Sequence, residues 1–309
     1  MAHQSPPAGE QLPRHVLVTG ADGTIGGALV ERLADSGVTV TALGLKFTAP
    51  TRADRTITAD AADENSVADA LTGVDAVVHL AAIAHPSLAP AREVFVRNTS
   101  ATFTVLDRAG AAGVRRVVIS GSINAFGVPM NHHDVLPAYF PLDELSPIDH
   151  DDAYSLSKWT DEQIARWAAS RWGLDVLTLR FPLVKSRETL LEANRQLLDD
   201  EPEIGRLVRE GWSYLVLDDA VDALMRGLVA PLSGARTVLL AAENTRLPFP
   251  TEALLDRYAP NVERRTGFAG TSGLVDTTAA RELLGWAPQH RLEAASPVAA
   301  SPVAGEVTR

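Results

Sequence analysis

The stretch His15-Val16-Leu17-Val18-Thr19-Gly20-Ala21-Asp22-Gly23-Thr24-Ile25-Gly26 decides the fold. His15–Thr19 is short, apolar and β-branched, which reads as a buried strand. Beyond it, apolar residues recur at Ile25, Leu29, Val30 and Leu33, the spacing of one helix face, predicting a helix over Ile25–Ser36 that Gly37 stops. The three glycines between strand and helix have separate uses. Gly20 permits a tight turn, Gly23 lets the backbone approach a pyrophosphate, and Gly26 lets the helix pack closely on the strand. The helix start supplies N–H groups for phosphate oxygens, with Asp22, Thr24 and Ile25 as further candidate contacts. A glycine string gains meaning from this strand-to-helix context.

Working outward, strands and helices alternate. Strands are expected at Val38–Leu43, Thr56–Thr58, Asp75–Leu80 and Arg116–Ser120. Helices are expected at Glu64–Leu71, with Asp63 as N-cap, and at Ala91–Ala112, with Val94, Phe95, Val105 and Leu106 toward the core. Such alternation predicts an α/β, Rossmann-type doubly wound parallel sheet with helices on both faces. Gly121–Asp152 is a long irregular stretch rich in Pro, His and Asp, and loops of that length are usually functional or disordered. A helix over Ala153–Trp172 and a strand over Asp175–Arg180 follow. After Pro182 the alternation loosens: helical pieces in Leu190–Glu210, a strand at Ser213–Leu217, a helix Asp218–Val229 capped by Asp218, a strand at Arg236–Ala241, and short helices at Thr251–Arg257 and Thr277–Leu284.

The 309 residues suffice for a large buried core. A net charge of −11 without a Lys/Arg cluster argues against nucleic acid and anionic membrane as partners. There is no cysteine, which excludes disulfides and thiolate chemistry and fits a cytoplasmic protein. No apolar run is long enough to span a membrane. Residues 1–13 and 291–309, the latter with a repeated Ser-Pro-Val-Ala, read as disordered tails.

In the NAD form of such a site, a carboxylate at the end of the second strand bonds the ribose 2′-OH. Here that position is Gly44, and no Asp or Glu occurs between Gly37 and Ala53. Lys46, Arg52 and Arg55 lie nearby, and a basic residue can pair with a 2′-phosphate. The cofactor is therefore NAD or NADP, with a lean to NADP. Asp60, ending the third strand beside Ala61, could accept from the adenine amino group. His79-Leu80-Ala81-Ala82 ends the fourth strand. His79 taken alone suits a packed core position, and the small Ala81 and Ala82 would let a cofactor pass close to backbone. Tyr154 and Lys158 stand four apart on one helix face. An ammonium beside a phenol favours the phenolate, making a Tyr usable as acid or base.

In this order, Thr-Gly-x-x-Gly-x-x-Gly, Asp60, His-Leu-Ala-Ala and Tyr154-x-x-x-Lys158 resemble the extended short-chain dehydrogenase/reductase family, which includes nucleotide-sugar epimerases and dehydratases. The resemblance implies that Tyr154 is the catalytic acid/base. It makes Lys158 the partner that bonds the nicotinamide ribose, and Ser122 the residue that holds the substrate oxygen. Ser122 rather than Ser120 is implied because it lies five residues before Gly127. Asn98 stands where the family has an active-site-supporting Asn, Pro182 near the carboxamide of the nicotinamide, and Asp219 at a structural Asp. His85, Asn124 and Phe126 are expected toward substrate. Dimerisation through the Ala91–Ala112 and Ala153–Trp172 helices is implied too.

Departures narrow the reading. Ser122-Ile123-Asn124 replaces the Thr-Asp-Glu-type triplet of the dehydratases, removing the acid pair that eliminates water. Arg180-Phe181-Pro182-Leu183-Val184 lacks the Arg-x-x-Asn and Tyr-Gly-Pro of nucleotide-sugar enzymes, and Glu210–Tyr214 offers no base for a sugar diphosphate. The loop and late domain resemble the sugar-acid and small-sugar dehydrogenase-like branches more closely. The expected function is an NAD(P)-dependent oxidoreductase interconverting a secondary alcohol and a ketone on a sugar-like or other small hydroxylated substrate. The alternatives are an epimerase that retains NAD and a non-catalytic cofactor sensor. His132, His133, Asp134 and Asp149–Asp152 crowd the long loop, but no element is expected to hold metal geometry there, so no metal is expected. The domain plan is a dinucleotide-binding domain over 14–182, with 213–242 returning to its sheet, and a substrate-binding region over 183–290.

Overall fold

The computed structural model describes residues 11–133 and 135–292. In chain order the elements are β1 (His15–Thr19), α1 (Thr24–Asp35), β2 (Thr39–Gly44), β3 (Arg55–Thr58), α2 (Glu64–Ala70), β4 (Ala76–His79), α3 (Ala91–Ala111), β5 (Arg116–Ser122) and β6 (Tyr139–Phe140). Then come α4 (Ala153–Trp172), β7 (Asp175–Phe181), β8 (Leu183–Lys185), α5 (Arg187–Leu197), α6 (Glu201–Leu207), β9 (Tyr214–Val216) and α7 (Leu217–Gly227). The last are β10 (Ala235–Leu239), α8 (Thr251–Tyr258), β11 (Glu263–Arg264) and α9 (Thr278–Leu284).

Seven parallel strands form the main sheet in the order β10-β7-β5-β4-β1-β2-β3. Side chains alternate across each strand. Val16 and Val18 enter one core with Leu29 and Leu33 of α1, Leu224 of α7 and Ala280 of α9. Leu17 points the other way, to Val67 of α2, Val105 and Leu106 of α3 and Ala165 of α4. Both faces are covered, which is why the strands read as unbroken apolar runs. Strand order reverses beside β1: β2 and β3 lie on one side, β4 and β5 on the other. A crevice therefore opens at the carboxyl ends between β1 and β4, where open α/β sheets bind ligands.

The structure corrects several expectations. The 121–152 stretch is mostly packed. Ile123, Phe126, Val128, Phe140 and Leu142 join Ile204, Leu207, Trp212, Leu255 and Leu274 in a third core, so this stretch and the C-terminal region share one interior. β6 in it pairs with β11. Only part of 213–242 rejoins the main sheet. β10 pairs with β7, while β9 pairs with β8 outside it. From the 183–290 region, α9 and Trp286 pack on the dinucleotide-binding side because their apolar residues face α7. Asp218 does not cap α7, whose N-cap is Val216. Asp63 does cap α2, accepting from Ser66 N. At the ends, Leu12 packs against the first core, and Leu292 is buried with its N–H donated to Tyr214 Oη at 2.7 Å. The remaining tail residues, 1–10 and 293–309, and Asp134 lie outside the described residues.

Asp219 is what fastens the C-terminal segment. It is buried, and its carboxylate accepts from Gln289 N, His290 N and His290 Nδ1 at 3.0, 3.0 and 2.9 Å. Its carbonyl takes the Trp286 indole N–H at 3.1 Å. Asp219→Ala should lower unfolding stability by about 2–4 kcal/mol, because hydrogen bonds to a charged acceptor are lost and buried donors are left unpaired. A denaturant melt checks this, and a loss below about 0.5 kcal/mol, the range of neutral surface changes, contradicts it.

Candidate active site

The turn after β1 is shaped by close contacts. Gly20 has φ +66°, and a Cβ there would lie 2.7 Å from Ala81 N. A Cβ on Gly26 would lie 2.1 Å from the Gly20 carbonyl oxygen. Neither position can hold a side chain without moving backbone. The capping residue of α1 is Gly23, which leaves the first turn of N–H groups without a side-chain cap. The turn is tied to the second strand by Ala21 N donating to Leu43 O at 3.2 Å.

A cavity of about 280 Å³ opens from this turn. Gly20, Asp22, Gly23, Gly44, Asp60, Ala61, Leu80, Ala81 and Ala82 line it, together with Arg97 and Asn98 of α3. Thr24, Ile25, Gly26 and Lys46 do not line it. Gly26 is buried beneath the turn, Thr24 is exposed, and Ile25 faces a second cavity. Asp60 is already engaged. It accepts from Ala62 N at 2.9 Å and from Arg97 Nη2 at 3.1 Å, leaving part of its accepting capacity toward the cavity. Gly44 offers no carboxylate of its own, but one stands beside it: Asp22 Oδ1 lies 2.5 Å from where a Gly44 Cβ would sit. Arg52 pairs with Asp35 and Glu31, and Arg55 with Asp69, all away from the cavity.

The second cavity, about 390 Å³, lies over the ends of β5 and β7. Its walls include Ile25, His85, Ser120, Ser122, Asn124, Tyr154 and Pro182. Tyr154 is fixed by the start of α4, where Asp152 Oδ1 accepts from both Tyr154 N and Ser155 N at 2.9 Å. Ser122 Oγ accepts from Asn124 N at 3.1 Å. That bond starts the 3-10 turn Ile123–Phe126, which turns Asn124 into the cavity and Phe126 away. Phe126 is 1% exposed within the third core, so the expectation that it faces substrate is corrected.

Lys158 stands behind Tyr154 in a buried polar network. Its Nζ donates to Ser120 O at 3.0 Å and pairs with Asp161 at 3.5 Å. Burial pushes the Asp161 carboxyl up to about 6, against the pull of Lys158. His79 is packed, as its sequence context suggested, with its ring nitrogens 2.7 Å from Thr19 Oγ1 and 3.2 Å from Thr102 Oγ1. Burial and then the Lys158 charge hold its pKa near 3, so it is neutral at pH 7. Asn98 lies outside the second cavity. Its Oδ1 accepts from Ile83 N at 2.7 Å, and its Nδ2 donates to Ile83 O at 3.1 Å and Ser157 Oγ at 3.0 Å. It ties the segment after β4 to the turn of α4 that carries Lys158.

The outer wall holds charges that the sequence did not reveal. Lys185, Glu203, Arg206, Glu210 and Arg246 all line the second cavity. Arg206 grips Glu203 in a two-pronged pair at 2.7 Å, and Arg246 Nε donates to Asn194 Oδ1 at 2.7 Å. Burial raises the Glu210 carboxyl to about 7, offset by Arg206 and Arg246. Residues 210–214 carry no base, yet two arginines reach the same wall from α6 and from the segment after β10. Only tertiary packing joins them, and no motif spacing could have found them. Among the described residues no three His, Asp or Glu side chains gather as a metal site. His132 pairs with Asp151 instead. Among the same residues no helix is long and apolar enough to cross a membrane.

A glycine turn that admits no side chain, an uncapped helix start and a cavity lined by that turn and by residues after β3 and β4 form a cradle that fits a nicotinamide adenine dinucleotide. With Ser122, Tyr154 and Lys158 beside it, this is the plan of a short-chain dehydrogenase/reductase. Residues 16–228 match the NAD dependent epimerase/dehydratase family, and the chain belongs to that family. It is an NAD(P)-dependent enzyme of the extended short-chain type. It is 29% identical to L-arabinose 1-dehydrogenase (NAD(P)(+)) of Haloferax volcanii, over 77% of this chain and 92% of that one. It is 30% identical to 3-diazoavenalumate denitrifying reductase of a Streptomyces species, over 91% of this chain and 90% of that one. Its fold matches a short-chain dehydrogenase/reductase superfamily protein from Agrobacterium tumefaciens with bound NAD, at TM-score 0.65 and 23% identity, covering 90% and 93%.

Proposed function

We propose that the chain interconverts a secondary alcohol and a ketone on a small, sugar-like hydroxylated substrate. The observation that carries this is the convergence of Ser122 and Tyr154 on one cavity that Ile25 of α1 and Pro182 also line. When bound, the dinucleotide supplies or accepts the hydride. Gly20, Gly23 and the first turn of α1 would hold its phosphates, and Lys158 and Pro182 its nicotinamide end. Tyr154 passes the proton to or from the substrate oxygen, Ser122 holds that oxygen by a hydrogen bond, and Lys158 stands behind Tyr154 as its charged partner. Asn124, whose buried Oδ1 has no partner, and exposed His85 are offered to the substrate hydroxyls. The alternating Arg206/Glu203 and Arg246/Glu210 charges suit a hydroxyl-rich ligand better than a diphosphate, because both cations already face carboxylates. The L-arabinose dehydrogenase among the relatives supports the same class.

A substrate panel of aldoses, uronates and simple hydroxylated ketones, read by the absorbance of reduced nicotinamide, tests this. Turnover of none of them with either cofactor contradicts it. The second reading, an epimerase, is favoured only if NAD copurifies and sugar isomers interconvert without net absorbance change.

The domain plan is proposed as a dinucleotide-binding half over 14–182 joined by β10, and a substrate-binding region built from the third core. The cysteine-free composition is what supports a cytoplasmic location. A homodimer through α3 and α4 is supported by their exposed apolar faces. Val96, Phe103, Leu156 and Trp167 are all more than a third exposed, and the rings of Phe103 and Trp167 stack at 4.8 Å. Wild-type protein should scatter as twice the monomer mass, and Phe103→Glu with Trp167→Glu should give monomer. A monomeric wild type contradicts the dimer.

A further inference from the structure

We infer that Asp22, in the glycine turn, is the residue that selects NAD over NADP, taking the place of the carboxylate missing from the end of β2. The inference rests on the reading of the first cavity as the adenosine site. Three observations on the geometry carry it. First, Asp22 and Gly44 occupy one space: a Cβ on Gly44 would lie 2.5 Å from Asp22 Oδ1, 2.7 Å from its Cγ and 3.0 Å from its Cβ. The absence of a side chain at 44 and the presence of a carboxylate at 22 are thus two halves of one arrangement. Second, the carboxylate is held there. Asp22 Oδ2 accepts from Lys46 N at 3.0 Å, the first backbone N–H beyond Leu45, and Ala21 N is bonded to Leu43 O, so the turn is pinned to the strand end on both sides. Third, Asp22, Gly44 and Leu45 all line the cavity beside Gly20 and Gly23.

A carboxylate so placed accepts from a vicinal diol and repels a 2′-phosphate. The cations that could offset this repulsion are spent or turned away. Arg52 and Arg55 pair with acids elsewhere, and Arg97, the cation lining this cavity, is bonded to Asp60 and Glu93. Lys46 is exposed and does not line the cavity.

Equilibrium titration calorimetry with NAD⁺ and NADP⁺ tests the inference without turnover. Wild type should bind NAD⁺ about tenfold or more tighter than NADP⁺, the scale of a like-charge contact at this range. Asp22→Asn keeps the Lys46 N–H bond and should narrow that ratio by about tenfold, chiefly by gaining NADP⁺ affinity. The double variant Asp22→Gly with Gly44→Asp moves the carboxylate to the strand end and should restore the preference. Lys46→Ala should leave the ratio unchanged. A wild-type preference for NADP⁺, or an unchanged ratio in Asp22→Asn, overturns the inference while leaving the dinucleotide site standing. Failure of wild type to bind either nucleotide overturns the site itself.

Discussion

Tyr154→Phe is expected to cut turnover by about 10²–10⁴-fold, the usual contribution of a positioned acid or base, with dinucleotide affinity close to wild type. The split follows from where the hydroxyl stands. Tyr154 is 6% exposed and is held by α4, whose first turn is locked by the Asp152 cap. Removing one oxygen leaves that packing in place, so the fold and the glycine turn should be untouched. What disappears is the hydroxyl proposed to exchange a proton with the substrate oxygen, in the cavity that Ser122 also lines. Single-turnover kinetics alongside nucleotide titration separates the two effects. Turnover near the wild-type rate would remove Tyr154 from the chemistry, whereas a matching fall in nucleotide affinity would recast it as a binding residue.

Gly26→Ala should weaken dinucleotide binding by about 100-fold or more, since misplacing a site by about an ångström has that scale of consequence. The added Cβ would stand 2.1 Å from Gly20 O and 2.8 Å from Ala21 Cα, both backbone atoms that cannot rotate aside. Turn and helix must separate, carrying the N–H groups of the first turn away from the phosphates. Overpacking of this kind also costs about 1–3 kcal/mol of stability. Gly27→Ala is the internal comparison. Its nearest contact would be an ordinary 3.7 Å to Ala21 O, and a helical Gly→Ala change gains up to about 1 kcal/mol. Thermal melts and nucleotide titration on both variants decide the matter, and equal affinities at 26 and 27 would contradict the close-packing argument.

Much of this enzyme was legible along the chain because the relevant physics is local. A β-branched run ending in spaced glycines dictates strand, turn and helix through backbone sterics alone. Strands buried on both faces announce themselves as unbroken apolar runs, and a Tyr and a Lys four apart must share a helix face. Family resemblance then attached roles to Ser122, Tyr154 and Lys158, and folding brings Ser122 and Tyr154 to one cavity, with Lys158 behind them. The misreadings arose where a residue's meaning depends on a distant partner. Phe126 lies in a stretch without periodicity and was expected toward substrate, but the apolar residues around it find their partners about eighty residues later, in α6 and beyond. Asp218 looks like a cap and is not one, because Val216 ends β9 at the capping position.

The sequence by itself determined the doubly wound sheet and the glycine turn, and it put Tyr154 and Lys158 on one helix face, since each follows from short-range backbone geometry and from strand and helix periodicity. Only the tertiary structure decided which charges line the second cavity and which carboxylate stands at the end of β2. Arg206, Glu210 and Arg246 converge through the third core, and Asp22 reaches the end of β2 because β1 and β2 are hydrogen-bonded neighbours. Such pairings depend on distances across the fold, which spacing along the chain does not encode.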